Sequence, residues 1–189
     1  MLVQKHPLIL ASKSPRRQQL LQLMDLKFEV LVKDVDESYP EDLKPFEVAK
    51  YISEKKAHAF LSDGLDGMVI TADTIVSYEQ EILGKPMDPD HAFEMLSKLS
   101  GHKHEVYTGV SLAFDGTLKT FYDVTEVQFR PLSPEQIWYY INNYRPFDKA
   151  GSYGVQDWIG MVAVEKITGS YTNVMGLPTE KLYQALSAF

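Results

Sequence analysis

The chain has 189 residues, 44% of them apolar and 12% aromatic, enough to bury a substantial core as a single domain over 1–189. It contains no cysteine, which excludes disulfide frameworks, thiol nucleophiles and cysteine-based zinc sites. A formal net charge of -7 argues against a general nucleic-acid binder, so any anionic ligand must be met by a local basic cluster.

No apolar run reaches the roughly 18–20 residues of a membrane span. The opening Met1-Leu2-Val3-Gln4-Lys5-His6-Pro7 has neither the apolar stretch nor the cleavage site of a signal peptide. The expectation is a cytoplasmic protein with no membrane partner.

Leu8-Ile9-Leu10-Ala11 reads as a short buried strand. Ser14-Pro15 opens a helix running to about Met24, with Ser at the N-cap and Pro at the first helical position. Phe28 to Val32 is a second strand, and the acidic stretch from Asp34 to Lys44 is a surface loop. Pro45 to Leu61 has Phe46, Ala49, Ile52 and Ala57 near helical spacing. Met68 to Ala72 is a buried strand that continues through Thr74-Ile75-Val76. Asp88-Pro89 starts a helix to about Leu99, and Val106–Phe114 with Leu118–Phe129 forms a hairpin around Asp115-Gly116. Ser133-Pro134-Glu135-Gln136 is a capping box for a helix to about Asn142. Strands are expected near Tyr153–Val155 and Met161–Ile167, then a turn at Gly169-Ser170 and a last helix after Pro178. Interleaved strands and helices with a central hairpin predict a mixed sheet flanked by helices, an α/β class.

Four segments carry chemistry. Ser12-Lys13-Ser14-Pro15-Arg16-Arg17 follows a strand and opens a helix, where free backbone N–H groups favour an anion. Two arginines in that first turn oppose the helix dipole, a penalty that a bound phosphate reverses. The same pattern fits a capped helix with exposed arginines. Asp73 interrupts an apolar strand, which is costly unless the carboxylate is paired, at a strand end or metal-bound. Leu83-Gly84-Lys85-Pro86 offers a compact charge at a turn, and lacks the glycine-rich run of a P-loop. Asp148-Lys149-Ala150-Gly151-Ser152-Tyr153-Gly154-Val155-Gln156 ends on an amide able to read a base edge, although it fits a plain loop equally well.

Other groups are weaker. His102 and His104 share a strand face but lack an obvious third ligand, and read as structural. Asp34, Asp36 and Glu37 form an acidic loop that suits a hard cation or simple solvation. Trp138, Tyr139 and Tyr140 read as packing residues of a helix.

Taken together, these segments resemble the Maf family of nucleotide pyrophosphatases. Leu10 to Arg17 resembles the family's opening signature; Ala72-Asp73-Thr74-Ile75-Val76, Gly84-Lys85-Pro86, Leu99-Ser100-Gly101, Asp148-Lys149-Ala150-Gly151 and Val174-Met175-Gly176-Leu177-Pro178 resemble its later motifs in order. The resemblance implies an elongated mixed α/β fold of two lobes around a cleft, similar to the inosine triphosphate pyrophosphatases. It implies hydrolysis of a nucleoside triphosphate between the α- and β-phosphates with a divalent cation, Mg2+ or Mn2+.

The family's catalytic acid falls on Asp73, as proton acceptor, metal ligand or both. Its phosphate-binding residues fall on Arg16, Arg17 and Lys85, with Ser12 and Ser14 beside them. Its helix lysine falls on Lys56, with Lys55 as rival, and its second acidic position, a metal ligand, on Glu37. Tyr153-Gly154-Val155-Gln156 resembles the branch acting on dTTP and UTP, whose specificity positions fall on Arg16, Thr74 and Gln156. A Gly often follows that Gln in the family, where this chain has Asp157. The resemblance also allows a homodimer, modified pyrimidine nucleotides as substrates, and a link to septum formation and arrest of division. A nucleotide-binding regulator without useful catalysis is the rival reading.

Overall fold

The apolar run at Leu8–Leu10 forms strand β1, buried at every position and paired in parallel on either side. Its neighbours are β2 (Phe28–Val30), with Leu10 opposite Val30, and β3 (Met68–Tyr78), with Leu10 opposite Ile70. A strand covered on both faces needs no polar alternation, which is why β1 reads as continuous apolar sequence. The computed structural model describes residues 4–61 and 63–189, so Met1–Val3 of the opening stretch lie outside the described residues.

Strand β4 (Glu81–Leu83) folds back antiparallel on the end of β3, placing Val76 opposite Leu83. The two turn residues, Glu79 and Gln80, have φ of 50° and 69°. The hairpin expected around Asp115-Gly116 is present as β5 (Lys103–Phe114) and β6 (Thr117–Phe129), its turn residues at φ 47° and 72°. Strand β7 (Val164–Thr168) pairs antiparallel with β6, Val127 opposite Ile167, with a register shift at Gln128/Phe129. The order is β2-β1-β3-β5-β6-β7, with β4 on β3. This is the mixed α/β sheet that the sequence predicts.

The helices are α1 (Pro15–Leu23), α2 (Pro45–His58), α3 (Pro89–Leu99), α4 (Pro134–Tyr144), α5 (Trp158–Ala163), α6 (Tyr171–Met175) and α7 (Thr179–Ser187). Each of the first four starts on a proline, whose fixed φ suits the first turn and whose missing N–H costs nothing there. The capping box of α4 closes as predicted: Gln136 N–H donates to Ser133 Oγ at 3.3 Å and Ser133 N–H to Gln136 Oε1 at 2.9 Å.

Two expectations fail after α4. Tyr153–Val155 is not a strand but the exit of a short 3-10 turn, Ala150–Ser152, leading into a tight turn. Met161 belongs to α5, and the strand begins only at Val164. Gly160 permits this: a Cβ there would lie 1.8 Å from the Val155 carbonyl oxygen, so α5 abuts the preceding turn as no larger residue allows.

The chain divides into two compact units, one of Met1–Thr74, Thr108–Asp123 and Gly176–Phe189, the other of Ile75–Tyr107 and Val124–Met175. In the first unit, Ile9, Ala57, Phe60, Val69 and Ala113 form a buried cluster with Leu65 and Leu118 packed against it. Helix α2 approaches β5 so closely that a Cβ on Gly109 would sit 2.2 Å from the Ala49 carbonyl oxygen. Thr71 Oγ1 donates to the Ser53 carbonyl at 2.7 Å, and Ser53 Oγ meets Ser111 Oγ at 2.9 Å, so hydroxyls fasten α2 to the sheet.

In the second unit, α3 and α4 pack together, Phe93 stacking on Trp138 with ring centroids 4.9 Å apart. Tyr140 is fully buried, whereas Tyr139 is half exposed beside Trp158. His104 is buried edge-on to Phe129, with Nε2 2.7 Å from the Tyr153 hydroxyl, and burial pulls its pKa down to about 3. A neutral imidazole set among aromatic rings is a core residue. His102 is exposed, Nδ1 lying 3.1 Å from the Lys98 carbonyl. No helix of the described residues is long and apolar enough to cross a membrane.

Candidate functional site

Asp73 lies in the buried stretch of β3 and is 9% exposed. The cost of that burial is offset from α2, which brings Lys56 Nζ to 2.7 Å from Asp73 Oδ1. The same ammonium lies 2.8 Å from Glu37 Oε1, so two carboxylates converge on one cation. Burial raises the Asp73 carboxyl above its ordinary pKa. Lys56, by charge and hydrogen bond, and Arg17 pull it down, while Glu37 pushes it up further.

Lys55 points elsewhere. Its Nζ lies 2.9 Å from Asp36 Oδ2 and 3.0 Å from the Ser38 carbonyl. Ser38 also donates to Asp36 from its N–H at 3.0 Å and from its hydroxyl. Asp34 takes Lys13 at 2.7 Å. Thus Asp34, Asp36 and Glu37 of one loop are each held by a different lysine, and only Glu37 reaches the lysine on Asp73.

Next to Asp73 on β3, Thr74 helps to hold Arg17. Arg17 donates from Nε to the Gly176 carbonyl at 2.8 Å, from one terminal nitrogen to Ser12 Oγ at 3.2 Å and from the other to Thr74 Oγ1 at 3.0 Å. All three acceptors are neutral, so these bonds orient the guanidinium without cancelling its charge. Burial lowers its pKa, Asp73 and Glu37 raise it, Arg16 lowers it, and an arginine stays protonated throughout. Thr74 Oγ1 also pairs with the Thr108 hydroxyl at 2.9 Å.

Ser12 Oγ accepts from the Ser14 N–H at 3.2 Å as well as from Arg17. Ser14 stands at the N-cap of α1, but its side chain makes no capping bond. The first turn of α1 has no acidic residue and carries Arg16 and Arg17, both half-buried.

The remaining expected residues belong to the second unit. Lys85 is exposed in the turn after β4. The Gly84 carbonyl of that turn accepts the Gly151 N–H at 3.0 Å, tying Gly84-Lys85-Pro86 to the Asp148–Gly151 segment. Gln156 donates from Nε2 to Asp157 Oδ1 at 3.3 Å, while its Oε1 is buried with no hydrogen-bond partner. Asp157 Oδ2 accepts from Tyr140 at 2.8 Å and faces Lys149 Nζ at 3.9 Å.

Within the first unit the structure therefore brings together Asp73, Glu37 and Lys56, and beside them Arg17, Ser12 and Thr74. Sequence reasoning missed Thr108, the Gly176 carbonyl, and Asp157 with Tyr140 as supports of the expected residues. Only Asp157 carried a signal, as a carboxylate leading into an apolar helix.

The family described as Maf-like protein matches residues 7–189. The chain is 47% identical over 186 residues to a Flavobacterium johnsoniae protein named dTTP/UTP pyrophosphatase, covering 98% of this chain and 96% of that one. It is 50% identical over 177 residues to a protein of the same name from Flavobacterium psychrophilum, covering 93% and 91%. Among solved structures, a HAM1 protein from Coxiella burnetii shares the fold at a TM-score of 0.52 and 12% identity, covering 97% of this chain and 100% of that one. With the family matched over nearly its whole length, the chain belongs to the Maf-like protein family.

Proposed function

We propose that this chain is a nucleoside triphosphate pyrophosphatase that hydrolyses dTTP and UTP to the monophosphate and pyrophosphate. The observation that carries the reading is the buried Asp73, paired with a Lys56 that also holds Glu37, and adjoining an Arg17 whose hydrogen bonds go only to neutral acceptors. The names of the relatives at 47% and 50% identity support the substrate class.

In this reading Asp73 accepts the proton of the water that attacks the α-phosphorus. Burial raises its pKa, which makes the carboxylate a stronger base than an exposed one. An ammonium has three N–H donors. Lys56 spends two on Asp73 and Glu37, which leaves the third for a phosphate oxygen. Arg17, pre-set by Ser12, Thr74 and Gly176, supplies a fixed fork for phosphate oxygens, joined by Arg16, Ser14 and the Ser12 hydroxyl, and Lys85 is the phosphate-binding candidate of the second unit. Thr74 holds the Arg17 fork in place, and Gln156 reads the base edge.

A divalent cation fits the donor set. Among the described residues no group of three or more His, Asp or Glu could hold a metal by itself. Glu37 and Asp73 do converge on one cationic group, and Mg2+ is typically held by one or two carboxylates together with substrate phosphates. When bound there, it supplies charge neutralisation for the triphosphate.

The test is pyrophosphate release from a panel of nucleoside triphosphates with Mg2+, Mn2+ or EDTA. Turnover of dTTP and UTP above purine triphosphates, abolished by EDTA, is expected. Binding of nucleotides without turnover of any of them would replace the enzyme with a nucleotide-binding regulator.

A further inference from the structure

We propose that Asp157, held by Tyr140, fixes the orientation of the Gln156 amide so that it meets the pyrimidine base as a hydrogen-bond acceptor, selecting uracil and thymine over cytosine. This deepens the pyrophosphatase reading and rests on it.

A carboxylate only accepts, so the end of the Gln156 amide that faces Asp157 must be its NH2. That contact runs from Nε2 to Oδ1 at 3.3 Å. The other end, Oε1, is buried and has no partner. The amide oxygen is therefore an unpaired acceptor, and a buried unpaired acceptor is unfavourable until a donor meets it.

Asp157 is held in turn. Its Oδ2 accepts the Tyr140 hydroxyl at 2.8 Å, and that hydroxyl oxygen accepts the Gly154 N–H at 3.0 Å. Tyr140 is fully buried, and burial raises its pKa, so the phenol keeps the proton it donates. Lys149 Nζ lies 3.9 Å from Oδ2 and keeps the carboxylate opposite a positive charge. Gly154 makes room for the arrangement: a Cβ there would stand 2.6 Å from Asp157 Oδ2 and 2.9 Å from Gln156 Nε2.

Uracil and thymine carry an N–H at ring position N3, flanked by two carbonyls. Cytosine presents a bare lone pair at N3 and an amino group beside it. Opposite N3, an acceptor-only Gln156 bonds the first two bases and meets the third lone pair to lone pair. A site built around such a bond rejects the analogue that leaves its polar group unpaired.

The experiment compares kcat/KM for UTP and CTP in the parent protein and in Asp157→Asn. Asparagine can face Gln156 with either end, so the amide is free to turn. The preference for UTP over CTP should fall by about tenfold, carried mainly by a higher KM for UTP. Asp157→Glu keeps an acceptor and should retain most of the preference. Tyr140→Phe should shift it in the same direction as Asp157→Asn, with thermal melting used to confirm that each variant is folded. An unchanged ratio in a folded Asp157→Asn protein, or a parent that prefers CTP, overturns the inference while leaving pyrophosphatase activity standing. A parent that turns over neither UTP nor dTTP overturns the pyrophosphatase reading and this inference with it.

Discussion

Asp73→Asn lowers kcat for dTTP by about 10²–10⁴-fold, the span expected when a positioned proton acceptor is lost. The substitution is close to isosteric, and the amide oxygen still accepts from Lys56, so the fold should hold. The effect on stability should run the other way. Burial raises the Asp73 pKa in the folded state, so its contribution to stability is largest below the ordinary carboxylate pKa and declines as pH rises through the raised value. Above that raised value the parent carries a buried charge that the variant lacks, and there the variant should melt no lower than the parent. The pH profile follows from the same shift. Activity of the parent should fall as pH drops through a limb lying above the ordinary carboxylate range, and the residual activity of Asp73→Asn should lack that limb. Steady-state kinetics from acid to neutral pH, beside thermal melts, check all three parts. Turnover within a few-fold of the parent would remove Asp73 from the chemistry.

Gly109→Ala destabilises the protein by on the order of 3 kcal/mol, the upper part of the range for overpacking a filled site. The added methyl would stand 2.2 Å from the Ala49 carbonyl oxygen and 2.4 Å from its carbon. Both belong to the backbone of α2, so no side-chain rotation relieves the clash and the helix itself must shift. For a domain of this size the loss corresponds to a fall in Tm of about 6–12 °C. Gly84→Ala is the control, because a Cβ there meets nothing within 4 Å. Its effect should stay within about 0.5 kcal/mol. Denaturant titration of the two variants reads the difference, and equal stability would mean that α2 does not rest on β5 through Gly109. Because α2 carries Lys56, a shifted helix should also weaken turnover in the molecules that remain folded.

What the sequence disclosed depended on the range of the forces involved. The N-terminal prolines of the first four helices, the capping box at Ser133 and the Asp115-Gly116 turn are local devices, and each lies where it was expected. Strand β4 escaped notice because its turn uses Glu79 and Gln80 at positive φ, where glycine or asparagine would have signalled it. Met161-Val162-Ala163, expected at the start of a strand, is helical, because Gly160 lets α5 pack on Val155.

The candidate site divides in the same way. Asp73 stood out as a carboxylate in an apolar strand. The family resemblance placed the helix lysine on Lys56 with Lys55 as rival, because a small difference in length before Asp73 blurs the register. Their different carboxylate partners, Asp36 and Asp73, appear only once α2 is seated on the sheet. The Gly176 carbonyl that holds Arg17 comes from 159 residues further along the chain, and a backbone oxygen leaves no mark in a sequence.

In the proposed reaction water attacks the α-phosphorus of a pyrimidine triphosphate. Hydrolysis of dTTP in water enriched in the heavy oxygen isotope, followed by mass spectrometry of the products, tests it most directly. Attack at the α-phosphorus gives one labelled oxygen in dTMP and unlabelled pyrophosphate. Label in the pyrophosphate, release of orthophosphate as the first product, or no hydrolysis at all would contradict it.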